Sequence, residues 1–165
     1  TKPLRDRFPI TLTLELYKPE ELALIAKQKA DMLGVQIDDR ACWNLGKRSR
    51  GTARYVVNYI KRCRDTALFC SQDVITSDIV DRTLNMLGVD AMGLTKIDLK
   101  YLDMLYRNGR PMGLAAVAYA INEDKRTVED VIEPFLVQLG FIARTPRGRI
   151  ITREGERYLK KGSGS

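Results

Sequence analysis

The sequence predicts a mainly α-helical chain with a β-hairpin near its end. Apolar residues recur at helical spacing through most of the 165 residues, and a capping side chain, a proline or a glycine stands at the ends of these runs. Alternation typical of strands is confined to residues 10–17 and to two runs between 141 and 152. We therefore expect seven short helices, with one strand before them and one hairpin after them.

Residues 1–92 are expected to form the strand and a small bundle of four helices. Pro19 suits the first turn of a helix, and the two glutamates after it lie at the positive end of the helix dipole. Asp38 or Asp39 can cap the second helix, and Thr76 begins the fourth. The four predicted helices cover about 19–34, 38–47, 52–68 and 76–88.

Residues 88–93 are interpreted as a linker, and three helices and a hairpin follow it, which is the order of a winged-helix domain. Thr95 and Asp98 form a variant of the capping box that opens the first of these helices. Thr127 is expected to cap the third helix, in which Pro134 should produce a bend. The predicted helices cover about 95–107, 113–121 and 127–140, the strands 141–144 and 149–152, and a flexible tail 162–165.

Composition excludes several kinds of site. Histidine is absent, which removes catalytic triads, general bases and metal sites that need an imidazole. The three cysteines are odd in number and dispersed, so we expect neither a disulfide framework nor a zinc site, and a reducing, cytoplasmic location. No apolar run approaches the roughly 20 residues that span a bilayer, so no membrane partner is expected. The net charge of +7 suits a polyanion without requiring one.

The hairpin carries the strongest signal for nucleic acid. Arg144, Arg147 and Arg149 fall within six residues, and guanidinium groups match phosphate oxygens in geometry. The helix before the hairpin presents three acidic residues, Glu129, Asp130 and Glu133, which we expect to be exposed and to repel a phosphate backbone. Binding should therefore be led by the hairpin, tolerant of sequence and weakened by salt.

A second basic cluster covers residues 47–54. Gly51 and Thr52 look like the start of a helix, so Arg54 would project from its first turn beside unpaired amides, where a phosphate could bind. A solvated basic face is the alternative for this cluster. Arg5 and Arg7 form a charged loop unless a partner uses them. Trp43 is expected in the core.

Four motifs in order carry a resemblance to a known family. Residues 3–8 (PLRDRF), 14–17 (LELY), 48–54 (RSRGTAR) and 144–149 (RTPRGR) are similar to segments of the bacterial RuvB branch-migration motors, which are AAA+ ATPases. The resemblance implies the end of a large ATPase domain at 1–17, a helical AAA+ lid at 18–92 and a winged-helix domain at 93–161. Pro9 and Ala53 depart from the family, which usually has glycine and proline there.

The same resemblance implies roles for individual residues. Arg54 would be the lid arginine that touches the nucleotide phosphates, and Tyr17 would lie near the adenine. Arg5 and Arg7 would serve the nucleotide site, Arg7 as a nucleotide-binding residue and one of the two as an arginine finger toward a neighbouring subunit. Arg144 and Arg149 match the positions that contact DNA, with Arg147 between them. The cofactor would be ATP, with Mg²⁺ held by the large domain.

The expected function is that of an ATP-driven, hexameric DNA translocase that moves Holliday junctions during recombination and repair. Its DNA partner would be a duplex or four-way junction, and RuvA would bind through the large domain. The chain contains no GxxxxGK[ST] motif, so by itself it should not hydrolyse ATP. Two alternatives stay open: a non-enzymatic winged-helix regulator with a helical dimerisation domain, and an adaptor whose winged helix binds protein.

Overall fold

The computed structural model describes residues 15–162. The strand predicted over 10–17 lies outside these residues except for its last three positions, which have no regular secondary structure. Arg5 and Arg7 also lie outside the described residues. The described part folds as two helical units with separate hydrophobic cores, one over 22–89 and one over 94–151.

The first unit, which we call the lid unit, contains the four predicted helices. Their bounds are α1 (Pro19–Met32), α2 (Asp39–Arg48), α3 (Ala53–Phe69) and α4 (Ser77–Met86). Two short strands that the sequence did not indicate, β1 (Gln36–Ile37) and β2 (Val74–Ile75), pair in parallel. They join the loop after α1 to the loop after α3.

Local sequence explains where these helices begin. Pro19 is the first residue of α1, as predicted. Of the two candidate caps for α2 the structure uses Asp38, whose side chain accepts a hydrogen bond from Ala41 N at 2.6 Å. A methyl group at Gly46 would overlap the Pro19 carbonyl oxygen, so this glycine permits the close approach of α1 and α2.

The second unit has the predicted winged-helix order, with one helix added. It contains α5 (Lys96–Asn108), α6 (Leu114–Ile121), α7 (125–138), β3 (Ile142–Thr145), β4 (Gly148–Ile151) and α8 (Arg153–Gly162). We call β3, β4 and their turn the wing. The strands are antiparallel, with Arg144 opposite Arg149, and Met112 adds a bridge to Arg149. Helix α8 was not predicted from the sequence.

Helix α7 departs from the prediction at its start and in its middle. Its cap is Asp124, which accepts from Thr127 N at 2.9 Å, so the prediction that Thr127 caps it was wrong. The segment Val128–Ile132 is π-helical and lies just before Pro134, which lacks the N–H needed for regular pairing. The wider turn shifts which side chains face the core, and Val131 is half-exposed although its spacing places it on the apolar side.

The expectation that Trp43 lies in the core was wrong, because Trp43 is 44% exposed. Residues 88–93, interpreted as a linker, run from the first core to the second and are packed: Val89 is buried, and a Cβ at Gly93 would lie 2.9 Å from the Arg48 carbonyl oxygen. The two units are therefore joined by a tight connection. Among residues 15–162, no helix is both long and apolar enough to cross a membrane.

Candidate functional sites at the start of α3 and on the wing

The basic cluster at residues 47–54 divides into buried and exposed members. Arg48 and Arg50 are buried in ion pairs, whereas Lys47 and Arg54 are exposed. Arg48 donates to Asp81 Oδ1 at 2.7 Å and to the Val89 carbonyl at 2.5 Å, and so links α2 to the connection between the units. Neither earlier interpretation of this cluster, as one phosphate site or as one solvated face, describes all four residues.

Arg54 lies in the first turn of α3, in a groove of about 510 Å³ between α3 and α7. Arg50 and Thr52 also line this groove, and Asp130 and Pro134 line it from α7. The Thr52 hydroxyl oxygen is buried and has no hydrogen-bond partner within the described residues. The groove thus has a cation and an unused hydroxyl at the start of a helix.

The start of α3 has the electrostatic character of an anion site. The first turn of α3 contains no acidic residue, and the positive end of the helix dipole lies there. Ala53 occupies the first helical position, which accepts alanine as well as the proline usual in the family. With alanine there, Arg54 is the second residue of α3.

Tyr17 lies next to this helix start through its backbone. Tyr17 N donates to the Gly51 carbonyl oxygen at 2.8 Å, which holds the segment before α1 against the beginning of α3. Its side chain is exposed, and the neighbouring Leu16 lines the groove. The structure thus brings Tyr17 and Arg54 to the same end of α3, while their contacts with a nucleotide stay a prediction.

Glu133 on α7 accepts hydrogen bonds from two arginine side chains of the wing. It accepts from Arg144 Nε at 2.8 Å, from Arg149 Nε at 2.7 Å and from the Tyr101 hydroxyl at 3.0 Å. Glu133 is fully buried, so the expectation that it is exposed was wrong. A signal was present in the sequence, because Glu133 lies between the buried Ile132 and Phe135 on the apolar side of α7.

These contacts rank the wing arginines by availability. Arg147 is exposed in the turn, the Arg144 side chain is 46% exposed, and that of Arg149 is 16% exposed. The hydrogen bond to Glu133 raises the pKa of Arg149 above its usual value, and burial followed by the Glu133 charge raises the pKa of the Tyr101 phenol. Arg147 is therefore the cation best placed to meet a phosphate, and Arg149 mainly supports the wing.

The acidic residues at the start of α7 disfavour insertion of this helix into a DNA groove, where it would contact the bases. Glu129 and Asp130 are exposed there, as expected. Arg144 Nη2 also donates to the Glu129 carbonyl oxygen at 3.2 Å, which ties the wing to this turn. Within residues 15–162 there is no cluster of three or more histidine, cysteine or acidic side chains that could hold a metal ion.

Comparison with known proteins places both units in one family. Residues 17–90 match the RuvB AAA lid domain and residues 91–160 match the RuvB C-terminal winged helix domain. The chain is 42% identical over 159 residues to the Holliday junction branch migration complex subunit RuvB of Anaplasma phagocytophilum, covering 96% of this chain and 48% of that protein. For the same subunit of Ehrlichia ruminantium strain Gardel the identity is 39% over 161 residues, covering 98% and 49%.

The structural comparison agrees. The Thermotoga maritima RuvB Holliday junction branch migration motor superposes with a TM-score of 0.92 at 41% sequence identity, over 97% of this chain and 54% of that one. The chain therefore spans about half the length of the relatives it matches. The sequence-based prediction of a mainly α-helical lid followed by a winged-helix domain is confirmed.

Proposed function

Because this chain belongs to the RuvB family, whose lid and winged-helix domains it carries over 17–160, we propose that it is the lid and DNA-binding part of an ATP-driven, hexameric DNA translocase. The translocase would drive Holliday-junction branch migration in recombination and repair in the cytoplasm. The observation that carries the proposal is the placement of an exposed, phosphate-suited Arg54 in the lid unit and an arginine-bearing wing in the other unit.

The lid unit would sense the nucleotide. Arg54 and the first-turn amides of α3 suit the charge and size of ATP phosphates, and the unpartnered Thr52 hydroxyl adds a further donor. Tyr17, whose backbone lies beside that helix start, would contact the adenine. Mg²⁺ would be held by the large domain. Hydrolysis would change the charge of the phosphates that contact Arg54. The altered attraction would move α3.

The wing would grip duplex DNA through its backbone. Arg147 at the turn and Arg144 beside it offer guanidinium donors, and Arg149 keeps the hairpin fixed on Glu133. Exposed Glu129 and Asp130 disfavour insertion of α7 into a groove, so contacts would be to phosphates and independent of sequence. A translocase needs this kind of contact, because it must hold every sequence that it passes.

The remaining assignments are proposals that follow from family membership. Arg5 and Arg7 would serve the nucleotide site, with one of them as the finger toward the neighbouring subunit's ATP. Six subunits would form the motor, and RuvA would bind through the large domain. The relatives' name, subunit of a branch migration complex, supports a role within a larger assembly.

The Arg147→Glu variant tests the DNA-binding half of the proposal. We expect its affinity for a random-sequence duplex to fall about tenfold at low salt, and the slope of log K against log salt to shrink by about 1, because a phosphate contact is lost. Fluorescence anisotropy at two or more salt concentrations measures both quantities. Arg147 is a sharper choice than Arg144 or Arg149, whose reversal would also break the contacts with Glu133.

Arg40→Glu is the matched control for this experiment. It makes the same change in net charge at an exposed position in the first turn of α2 in the lid unit. Its affinity should stay within about twofold of the wild type. Equal binding by wild type and Arg147→Glu would contradict the wing as the DNA contact and would favour the protein-binding adaptor.

The Arg54→Ala variant tests the nucleotide half in the full-length protein. Loss of one preorganised charged donor typically lowers kcat by about 10²-fold, and we expect a loss of that order in steady-state ATP hydrolysis. Arg62→Ala, an exposed arginine two turns later on α3, should change kcat less than twofold. Unfolding temperatures should match for both variants, because neither side chain is buried. Undiminished hydrolysis by Arg54→Ala would refute its contact with the phosphates.

A further inference from the structure

One arginine side chain, that of Arg50, crosses from the lid unit into the second unit. Its Nη1 donates to Asp98 Oδ2 at 2.5 Å and its Nη2 to Asp98 Oδ1 at 3.1 Å, which is a bidentate pair with α5. The guanidinium also lies 4.6 Å from the centroid of the Phe135 ring on α7. Both charged groups are buried, Arg50 at 5% and Asp98 at 1% exposure of the side chain.

These contacts hold the guanidinium in place. The Asp98 carboxylate binds its edge, and the Phe135 ring covers one of its faces. Nη2 also approaches the Val131 carbonyl oxygen at 3.4 Å. Asp98 cannot follow a displaced arginine easily, because the same carboxylate accepts from Thr95 N and Thr95 Oγ1, each at 2.7 Å. Arg50 therefore contacts two helices of the second unit, and its main partner is itself anchored.

The backbone at Arg50 supports the same conclusion. Its φ of +53° is in the left-handed region, which a side chain other than glycine or asparagine rarely adopts. Such a conformation persists where the surrounding contacts determine it, and here those contacts lie across the boundary between the units. The chain turns at Arg50 in the way needed to send the side chain out of the lid unit.

Arg50 also lies on the path between the two candidate sites. It precedes Arg54 by four residues at the start of α3, and Phe135 lies two residues from Glu133 on α7. Glu133 in turn holds Arg144 and Arg149 of the wing. Arg50 therefore lies between the two candidate sites: it is close in sequence to Arg54, and it stacks on a ring of the helix whose Glu133 holds the wing.

We propose that Arg50 is a positioning residue that holds the lid unit and the winged-helix unit at a fixed angle, so that movement of α3 during ATP turnover reaches the wing undiminished. The inference rests on the proposed function, and it adds the residue that sets the stiffness of the joint. Without Arg50, ATP would still be hydrolysed and DNA still bound, but each hydrolysis would move the DNA less. Coupling and stability are separate properties, and the test separates them.

The test uses Arg50→Lys in the full-length protein on four-way-junction DNA. Lysine keeps the positive charge but loses the second donor and the flat group that stacks on Phe135. The quantity measured is the number of base pairs migrated per ATP hydrolysed. We expect this ratio to fall about threefold or more, with DNA affinity within about twofold of the wild type. Because the ratio is taken per ATP hydrolysed, a change in ATP turnover alone leaves it unaltered.

Leu22→Ala is the control for stability. Leu22 is buried in the core of the lid unit on α1, away from the connection between the units. This variant should lower the unfolding temperature while leaving the coupling ratio within twofold. If Arg50→Lys does not fold, Phe135→Leu removes the stacking surface and keeps the ion pair, and the same loss of coupling is expected.

A second readout does not depend on activity. Spin labels at Arg40→Cys and Arg147→Cys, in a background with Cys70→Ser, report the distance between the lid unit and the wing by double electron–electron resonance. We expect a narrow distribution in the parent and a distinctly broader one with Arg50→Lys, whereas Leu22→Ala should leave the width unchanged. Unchanged width and ratio in an active motor would overturn the role of Arg50. Failure of the wild type to drive branch migration would instead refute the proposed function. The distance distributions would still show whether Arg50 fixes the angle between the two units.

Discussion

Replacing Glu133 by alanine is expected to destabilise the winged-helix unit by about 3–5 kcal/mol, the range typical of removing one partner from a buried ion pair. The substitution leaves Arg149 largely buried without its carboxylate, removes the acceptor of Arg144 Nε, and deprives the buried Tyr101 hydroxyl of its acceptor at 3.0 Å. It also opens a cavity beneath the wing. The substitution thus combines an unpaired buried charge, an unsatisfied hydroxyl and a cavity, each of which lowers the free energy of unfolding.

The single tryptophan makes the measurement selective. Trp43 is the only tryptophan of the chain and lies in the lid unit, so its fluorescence follows that unit alone. Circular dichroism at 222 nm follows both units. In urea titrations of Glu133→Ala, we expect the circular-dichroism midpoint to fall further than the Trp43 midpoint, since the lost contacts belong to the second unit.

Glu129→Ala is the control for the Glu133 experiment. Glu129 lies on the same helix with an exposed side chain, and its contact with Arg144 uses only its backbone carbonyl. Its free energy of unfolding should stay within about 0.5 kcal/mol of the wild type. Equal stabilities for the two variants would mean that Glu133 does not hold the wing in solution.

Stability is also expected to fall steeply above about pH 10, because buried phenols keep their protons only in the folded state. Burial raises the pKa of Tyr59 to about 12, and burial together with the Glu133 charge raises that of Tyr101. Burial raises the pKa of the Cys63 thiol to about 11. Each of these groups ionises at lower pH in the unfolded chain, so unfolding releases protons at alkaline pH.

The direction of the effect follows from linkage. A raised folded-state pKa contributes stability fully below the unfolded-state value, and that contribution disappears as the pH rises through the folded-state value. Each such group lowers the free energy of unfolding by up to about 1.4 kcal/mol per pH unit in that window. With three groups, the loss between pH 10 and pH 11 is about 3 kcal/mol.

Urea midpoints at pH 8, 9, 10 and 11 measure this loss. Tyr101→Phe should reduce the alkaline slope by about 1.4 kcal/mol per pH unit, since one of the titrating groups is removed. Tyr119→Phe is the control, because Tyr119 is 90% exposed and should leave the slope unchanged. A wild-type curve that stays flat from pH 9 to pH 11 would contradict the protonated state of the buried phenols.

Local sequence was sufficient to predict most of the secondary structure. All seven predicted helices are present. Their signals, which are apolar spacing, capping side chains such as Asp38 and a proline in the first turn, depend only on residues three or four positions apart. The hairpin and its turn were equally readable. The helix α8 and the paired strands β1 and β2 were missed, because α8 follows the hairpin as a highly charged segment and two-residue strands form only when distant loops meet.

The sequence by itself determined the family, the order of the helices and the presence of arginines at residues 48–54 and on the wing. Only the tertiary structure decided which of those arginines meet solvent. Arg50 pairs with Asp98, 48 positions later, and Glu133 binds Arg144 and Arg149 across a turn of the fold. The same side chain, at the same local spacing, can be a surface cation or a buried connector. The outcome depends on whether folding brings a carboxylate to it, because an unpaired charge is expelled to water and a paired one can be buried.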